Sequence, residues 1–330
     1  MSVATPFKIY IEEFKEILGP NPKLECLLED QTCPFAHEAG IFIPEDNTLF
    51  ITSNQFPHPD TGEKTIQISK VSLGNGSATC KKIETENVPM ANGGVNYQGG
   101  VLFCAQGTMS SPGGLAFMST TPPYKSSILL SSFYGRNFNS VNDVVIHSDG
   151  SVWFTDPNYG HEQGIRPRPV LPNQVYRYDP STKAVRAVAD GFGRPNGLCF
   201  SPDEKILYVT DTDWIHGDGT TDDSRASTIY AFDIATYSGQ PFLVNRRLFA
   251  CAASRCPDGI KCDMDGNVYS GCGDGVNVWS PGGVHLGTVE VDGGAANFCF
   301  GREGEMFILN ENRLWRAQLG THVRGALLKI

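Results

Sequence analysis

The chain has 330 residues, 40% of them hydrophobic and 19% charged, which suits a globular protein of one large domain or two ordinary ones. Its formal charge of -10 sets nucleic acid aside as a partner and favours a cation. No apolar run reaches the length of a membrane span. The first residues lack a basic segment followed by an apolar one, so the expectation is a cytoplasmic protein; secretion follows if the sequence is a mature form.

Ten cysteines stand at 26, 33, 80, 104, 199, 251, 256, 262, 272 and 299, with no CxxC pair and no zinc spacing. The plain reading is buried free thiols. The other is a disulfide in a secreted protein, with Cys26 or Cys33 tying down the N-terminal segment. Asn75-Gly76-Ser77 is a glycosylation sequon of a kind common by chance.

Phe7 to Leu18 carries apolar residues at helical spacing and reads as a short helix or a strand leading into the core. Six units of one design follow. Each is a strand-forming run, a turn and a second strand-forming run: from Glu38, Gly93, Asn142, Asn196, Asp258 and Ala296. The third is the clearest. Val144, Val145 and Ile146 are β-branched, Ser148-Asp149-Gly150 is turn chemistry, and Val152-Trp153-Phe154-Thr155 is a second β-prone run. Turn centres fall near 46, 98, 149, 203, 265 and 303, a spacing of about fifty residues that marks a propeller. Further strand pairs lie between these hairpins, at Gln174 to Arg186, Thr228 to Val244 and Val276 to Leu286. The fold class is therefore all-β, a six-bladed β-propeller with four-stranded antiparallel blades. A β-sandwich or β-helix lacks the fifty-residue period. Residues 1–330 read as one domain, with the 1–36 segment completing the ring and Ala326 to Ile330 as a last strand, which would remove an exposed sheet edge.

Counting back seven residues from the polar turn residue of each unit reaches Glu38, Asn142, Asn196 and Asp258. The sixth unit gives Ala296 and the second Ala91 or Asn92. Alone, an Asn-Gly or Asp-Gly pair is a turn dipeptide and Glu38 a surface charge. Together they place a carboxylate or carboxamide at one structural position in four of six blades. If the first strand of each hairpin is innermost, the four converge on one mouth of the central channel. Two carboxylates and two amide oxygens suit one divalent cation, Ca²⁺ first; Mg²⁺, Mn²⁺ or Zn²⁺ are the alternatives.

The motifs HEAG, FNSVNDVVIHSDGSVWFTDPNYG, GRPNGLCFSPDEKILYVTD and PDGIKCDMDGNVY resemble the regucalcin/gluconolactonase (SMP-30-like) family of metal-dependent lactonases, most closely its fungal aldonolactone and pantolactone hydrolases. The resemblance covers blades one, three, four and five in order. It implies Glu38, Asn196 and Asp258 as metal ligands, with Asn142 on the substrate side of the metal or within its shell. This sequence departs from the family at Ala39, where many members have Gly. The function implied is hydrolysis of a small hydroxylated lactone of the aldonolactone or pantolactone type to its hydroxy acid. The cation polarises the carbonyl and a carboxylate activates water.

Asp258 is the first choice for that base. Asp143 is the second, although strand alternation points it away from Asn142 unless the chain is irregular there, so it is also read as structural or as a ligand to a second ion. His37 is a third candidate, or simply an oriented loop histidine. Asn158, Tyr159 and His161 after the third hairpin, with Gln106 and Asn96 from blade two, are the candidate substrate contacts. Trp214 and His216 lie in an insertion to about Ser227 that reads as a lid. Trp153 and Phe154 read as blade packing. Other readings on the same scaffold are an esterase or phosphotriesterase, a biosynthetic isomerase or cyclase, and a non-enzymatic binding platform. The Glu/Asn/Asn/Asp set argues against the last.

Overall fold

Each of the six hairpins turns on a residue at positive φ: Asn47, Gly99, Gly150, Glu204, Gly266 and Gly304. The computed structural model describes residues 5–74 and 77–330, so Asn75 and Gly76 of the sequon lie outside the described residues. Six antiparallel sheets form six blades. Blade one is Glu38–Ile43, Thr48–Thr52, Ile68–Leu73 and Ala78–Ile83; blade two is Ala91–Tyr97, Gly100–Ala105, Gly114–Ser119 and Ser126–Leu130. Blade three is Val144–Ile146, Val152–Asp156, Gln174–Asp179 and Ala184–Ala189; blade four is Pro195–Phe200, Ile206–Asp211, Thr228–Tyr237 and Gln240–Cys251. Blade five is Ile260–Cys262, Val268–Cys272, Gly275–Trp279 and His285–Glu290, and blade six begins Asn297–Phe300, Glu305–Asn310 and Arg313–Gln318. The first strands of neighbouring blades touch one another and ring the axis.

The two ends of the chain meet in the last blade. Lys23–Glu29 pairs antiparallel with Arg313–Gln318 and supplies the fourth strand of blade six. Phe7–Ile9 adds a fifth strand to the outer edge of blade five, and a short helix, Phe14–Leu18, buries Phe14 and Ile17 beside it. The first segment thus holds both a strand and a helix. The expectation of a strand at Ala326 to Ile330 is corrected. Only Gly325 makes a bridge, to Asp263, and the apolar tail turns to pack Leu328 and Ile330 against the blade one/blade six core. Its side chains line a cavity at one end of the channel, on the same side as Phe200 and Phe300.

Period-2 alternation sends successive side chains of each strand into opposite blade interfaces. The core is accordingly six wedges, one between each pair of adjacent blades. Trp153 packs toward Phe200 of blade four, while Phe154 packs toward Phe138 and Tyr176 on the other face. All ten cysteines are free thiols. Cys26 rides on a strand held to blade six by its ladder and not by a disulfide. No helix among the described residues is long and apolar enough to cross a membrane.

Candidate metal centre

The four residues singled out by repeat position stand where the sheets are irregular. The ladder slips between Glu38 and Ile41, with Ala39 at φ 70° and Gly40 at φ 67°, and again between Pro195 and Leu198 around Asn196. Asn142 and Asp258 precede the regular strands of their blades; the amide of Asn142 donates to Thr155 O and that of Asp258 to Gly271 O. Bulges of this kind re-aim side chains at a sheet rim. The glycines that follow are not turn residues. A Cβ on Gly197 would lie 2.4 Å from Asp258 O, and one on Gly259 2.3 Å from Asn297 Oδ1. Glycine is required there because the neighbouring blade's leading residue comes so close.

Glu38, Asn142, Asn196 and Asp258 line one cavity of about 280 Å³. All four are buried or nearly so. Oδ1 of Asn142 and Oδ1 of Asp258 have no hydrogen-bond partner, while Oε2 of Glu38 accepts from Asn297 Nδ2 at 2.7 Å. Burial, and then the nearby Asp258 carboxylate, push Glu38 above the usual carboxylate range; burial first pushes Asp258 up as well. Two buried acids, both held above the usual carboxylate range, together with orphaned oxygens lining the same space, fit a hard divalent cation. Among the described residues no cluster of three or more His, Cys, Asp or Glu is placed to hold a metal, so a cation here would depend on the carboxamides as well as the carboxylates.

His37 lines the same cavity. Its Nδ1 lies 2.7 Å from Oε1 of Glu311, whose other oxygen accepts from Asn54 Nδ2. Burial opposes charge on the ring, but the charge and hydrogen bond of Glu311, with the Glu38 and Asp258 carboxylates, together raise His37 to about 10. The roof comes from two insertions. Tyr159, in the short helix Tyr159–Glu162, bonds through its hydroxyl to Thr212 Oγ1 at 2.6 Å, and His216 with Gly217 enters from the blade four insertion. Arg194 ties these parts together. Its guanidinium donates to both oxygens of Glu162, at 3.0 and 2.7 Å, and to Asp213 Oδ1, while Glu162 Oε2 also accepts from Gly217 N. Gln55 of blade one closes the remaining side through Gln163. The insertion expected as a lid therefore does cover the site. Trp214, however, faces Asp223 rather than the cavity.

Of the candidate substrate contacts, Tyr159 and Gln106 line the cavity. The other three do not. Asn96 lies five residues along its strand from Ala91, so it has passed down the channel; it donates to Phe42 O and lines the far-end cavity. Asn158 holds the roof helix through Glu162 and Asn173, and His161 points to solvent. Asp143, a candidate base, is also turned away from the cavity. Its Oδ1 accepts from Val144 N and its Oδ2 lies 4.0 Å from Lys261 Nζ, so the charge beside it is an ammonium and not a second metal ion. Sequence reasoning missed Glu311, Arg194, Asn297 and Lys261. Glu311 is 274 positions from His37, and nothing local signals the pairing. Arg194 had a signal in its place two residues before Asn196.

The SMP-30/gluconolactonase/LRE-like region matches residues 58–310, and the chain belongs to that family. It is 31% identical over 306 residues to the lactonohydrolase oryL of Aspergillus oryzae, covering 87% of this chain and 67% of that one. It is 30% identical to the gluconolactonase of Zymomonas mobilis over 64% of this chain and 60% of the relative. A solved structure of a gluconolactonase from Xanthomonas campestris superposes with a TM-score of 0.74 and 25% identity, covering 96% of this chain and 95% of that one.

Proposed function

We propose that the protein is a divalent-metal-dependent lactonase that opens a small hydroxylated lactone to its hydroxy acid. The observation that carries this reading is the convergence of Glu38, Asn142, Asn196 and Asp258 on one roofed cavity, with two oxygens left unbonded. These four side chains would hold the cation, Ca²⁺ first. A cation bound there supplies Lewis acidity that favours negative charge on the lactone carbonyl oxygen.

The chain's own groups do the remaining work. Asp258 offers a carboxylate oxygen with no competing hydrogen bond, suited to take a proton from the attacking water. As water adds to the carbonyl carbon, the ring C–O bond breaks and the ring oxygen takes up a proton, leaving a hydroxy acid. His37, held charged beside Glu311, is the group able to give the ring oxygen its proton, which the proton taken up by Asp258 then replaces. The roof of Tyr159, Gln163 and His216 limits bulk water.

The lining also bears on the substrate. Ser53, Asn54, Gln55, Gln106 and Gln163 present hydroxyl and carboxamide groups around a space of about 280 Å³. Such a wall matches the hydroxyls of an aldonolactone or of pantolactone better than an alkyl chain. Titrating released acid at constant pH with gluconolactone, pantolactone and a γ-lactone bearing a long alkyl chain tests this. The hydroxylated lactones should react with kcat/KM at least tenfold higher. Equal or better turnover of the alkyl lactone would remove the substrate reading while leaving the lactonase reading in place.

A further inference from the structure

Two consecutive residues recur at the end of the second strand in blades three and four: Thr155-Asp156 and Thr210-Asp211. All four are buried, and none lines the cavity. Their hydrogen bonds repeat as well. Asp156 accepts from the amides of Asn139 and Ser140, at 2.9 and 2.8 Å, three and two residues before Asn142. Asp211 accepts from the amides of Gly193 and Arg194, at 3.0 and 2.8 Å, three and two residues before Asn196. Each carboxylate pins the backbone that leads into its own blade's carboxamide.

The threonines reach forward to the next blade. Thr155 Oγ1 donates to the carbonyl of Asn196 at 2.7 Å and accepts from the amide of Asp143 at 3.1 Å. Thr210 Oγ1 donates to the carbonyl of Asp258 at 2.9 Å. Asn196 is thereby held from both sides, by Asp211 before it and by Thr155 at its own carbonyl. Thr52 of blade one makes the same kind of bond, to Asn92 O at 2.9 Å. A hydroxyl buried at the blade interface, bonded to the leading residue of the neighbouring blade, fixes the spacing between adjacent blades at the level of the site. Packing alone does not call for hydroxyls there, since valine would fill the same volume at an apolar interface.

We infer that Thr155, Asp156, Thr210 and Asp211 are positioning residues that set the mutual geometry of Asn142, Asn196 and Asp258, and through it the affinity for the cation. This rests on the metal reading above. Groups one step removed from metal ligands typically change metal affinity ~10–100-fold when altered.

The test is calorimetric titration of the chelator-stripped full chain with CaCl₂ and with MnCl₂, beside thermal unfolding without added metal. Thr155→Val and Thr210→Val should each weaken binding by about tenfold or more, and Thr155→Ser and Thr210→Ser should restore it. Thr288→Val is the control: a fully buried threonine in an outer strand of blade five, remote from the site. It should lower thermal stability and leave affinity unchanged. Asp211→Asn, which keeps one acceptor oxygen, is the milder probe should the valine variants fail to fold, and it should lower affinity several-fold. Threonine or Asp211 variants that bind as tightly as wild type, while losing stability as Thr288→Val does, would overturn the inference and leave the metal reading standing. A wild-type chain that binds neither ion would overturn both.

Discussion

Asn297 donates through Nδ2 to Oε2 of Glu38 at 2.7 Å, joining the last blade to the first at the rim of the cavity. Its Oδ1 accepts from the amide of Phe298, so the side chain is locked and Glu38 is held at a fixed place. Glu38 is nonetheless buried with the Asp258 and Asp143 carboxylates nearby, and burial and these charges outweigh the relief that the His37 ring gives it. Replacing it with the neutral isostere should relieve that repulsion. Glu38→Gln is expected to raise the melting temperature of chelator-treated protein by about 2 °C, on the scale of ~1 kcal/mol for a large domain. The same variant should lose the stabilisation that Ca²⁺ gives wild type. Melting curves with and without chelator read both effects.

Arg194 bears on the roof. It is buried and its guanidinium links Glu162 and Asp213, which anchor the two insertions over the site. Removing one partner of a buried pair costs about 3–5 kcal/mol because the remaining charges are stranded. Arg194→Met should therefore destabilise the protein strongly. Below its melting point it should raise KM more than it lowers kcat, since the roof rather than the reacting groups is loosened. Denaturant melts and steady-state kinetics at low temperature measure the two separately.

His37 and Glu311 form a carboxylate–histidine pair at the wall of the cavity. If the ring moves a proton in the reaction, His37→Asn should lower kcat by roughly 10²-fold or more with Ca²⁺ affinity little changed. Glu311→Gln, which leaves the ring in place without its charge partner, should fall between the variant and wild type. A kcat for His37→Asn within a factor of about two of wild type would assign the proton transfer to Asp258 alone.

A separate effect of pH concerns the turn of blade three. Burial would raise Asp149, but bonds from the hydroxyl and amide of Ser151, then Arg177 and His147, bring it down to about 2. A carboxyl held below its unfolded value of about 4 contributes stability above that pH and loses it as pH falls from about 4 toward 2. Asp149→Asn should melt below wild type at neutral pH, and the gap should narrow as pH is lowered through 4. The side chain is 42% exposed, so the gap is modest.

Much of this arrangement is legible in the chain because the propeller repeats. The turn residues recur at near-equal spacing, and Glu38, Asn142, Asn196 and Asp258 share one offset from them, so fold and candidate ligands emerge together. What stays hidden is whatever depends on neighbours distant in sequence. Glu311 meets His37 only after the ring closes. Asn96 reads as a site residue until its distance along the strand is counted from the rim, while Asp143, which strand alternation already turns from Asn142, meets its distant partner Lys261 only in the folded ring. The apolar run Ala326 to Ile330 has strand composition, but every blade already has its strands and the run packs as a tail. Gly197 and Gly259 look like turn glycines, and only the approach of the adjacent blade shows their real constraint.

The most direct test of the central claim is the rate of acid release from gluconolactone at constant pH, followed through removal and return of the metal. The account predicts that chelation abolishes the enzymatic rate, that Ca²⁺ restores it, and that Asp258→Asn stays at the uncatalysed rate in either condition. An unchanged rate after exhaustive chelation, or an Asp258→Asn variant as active as wild type, would contradict it.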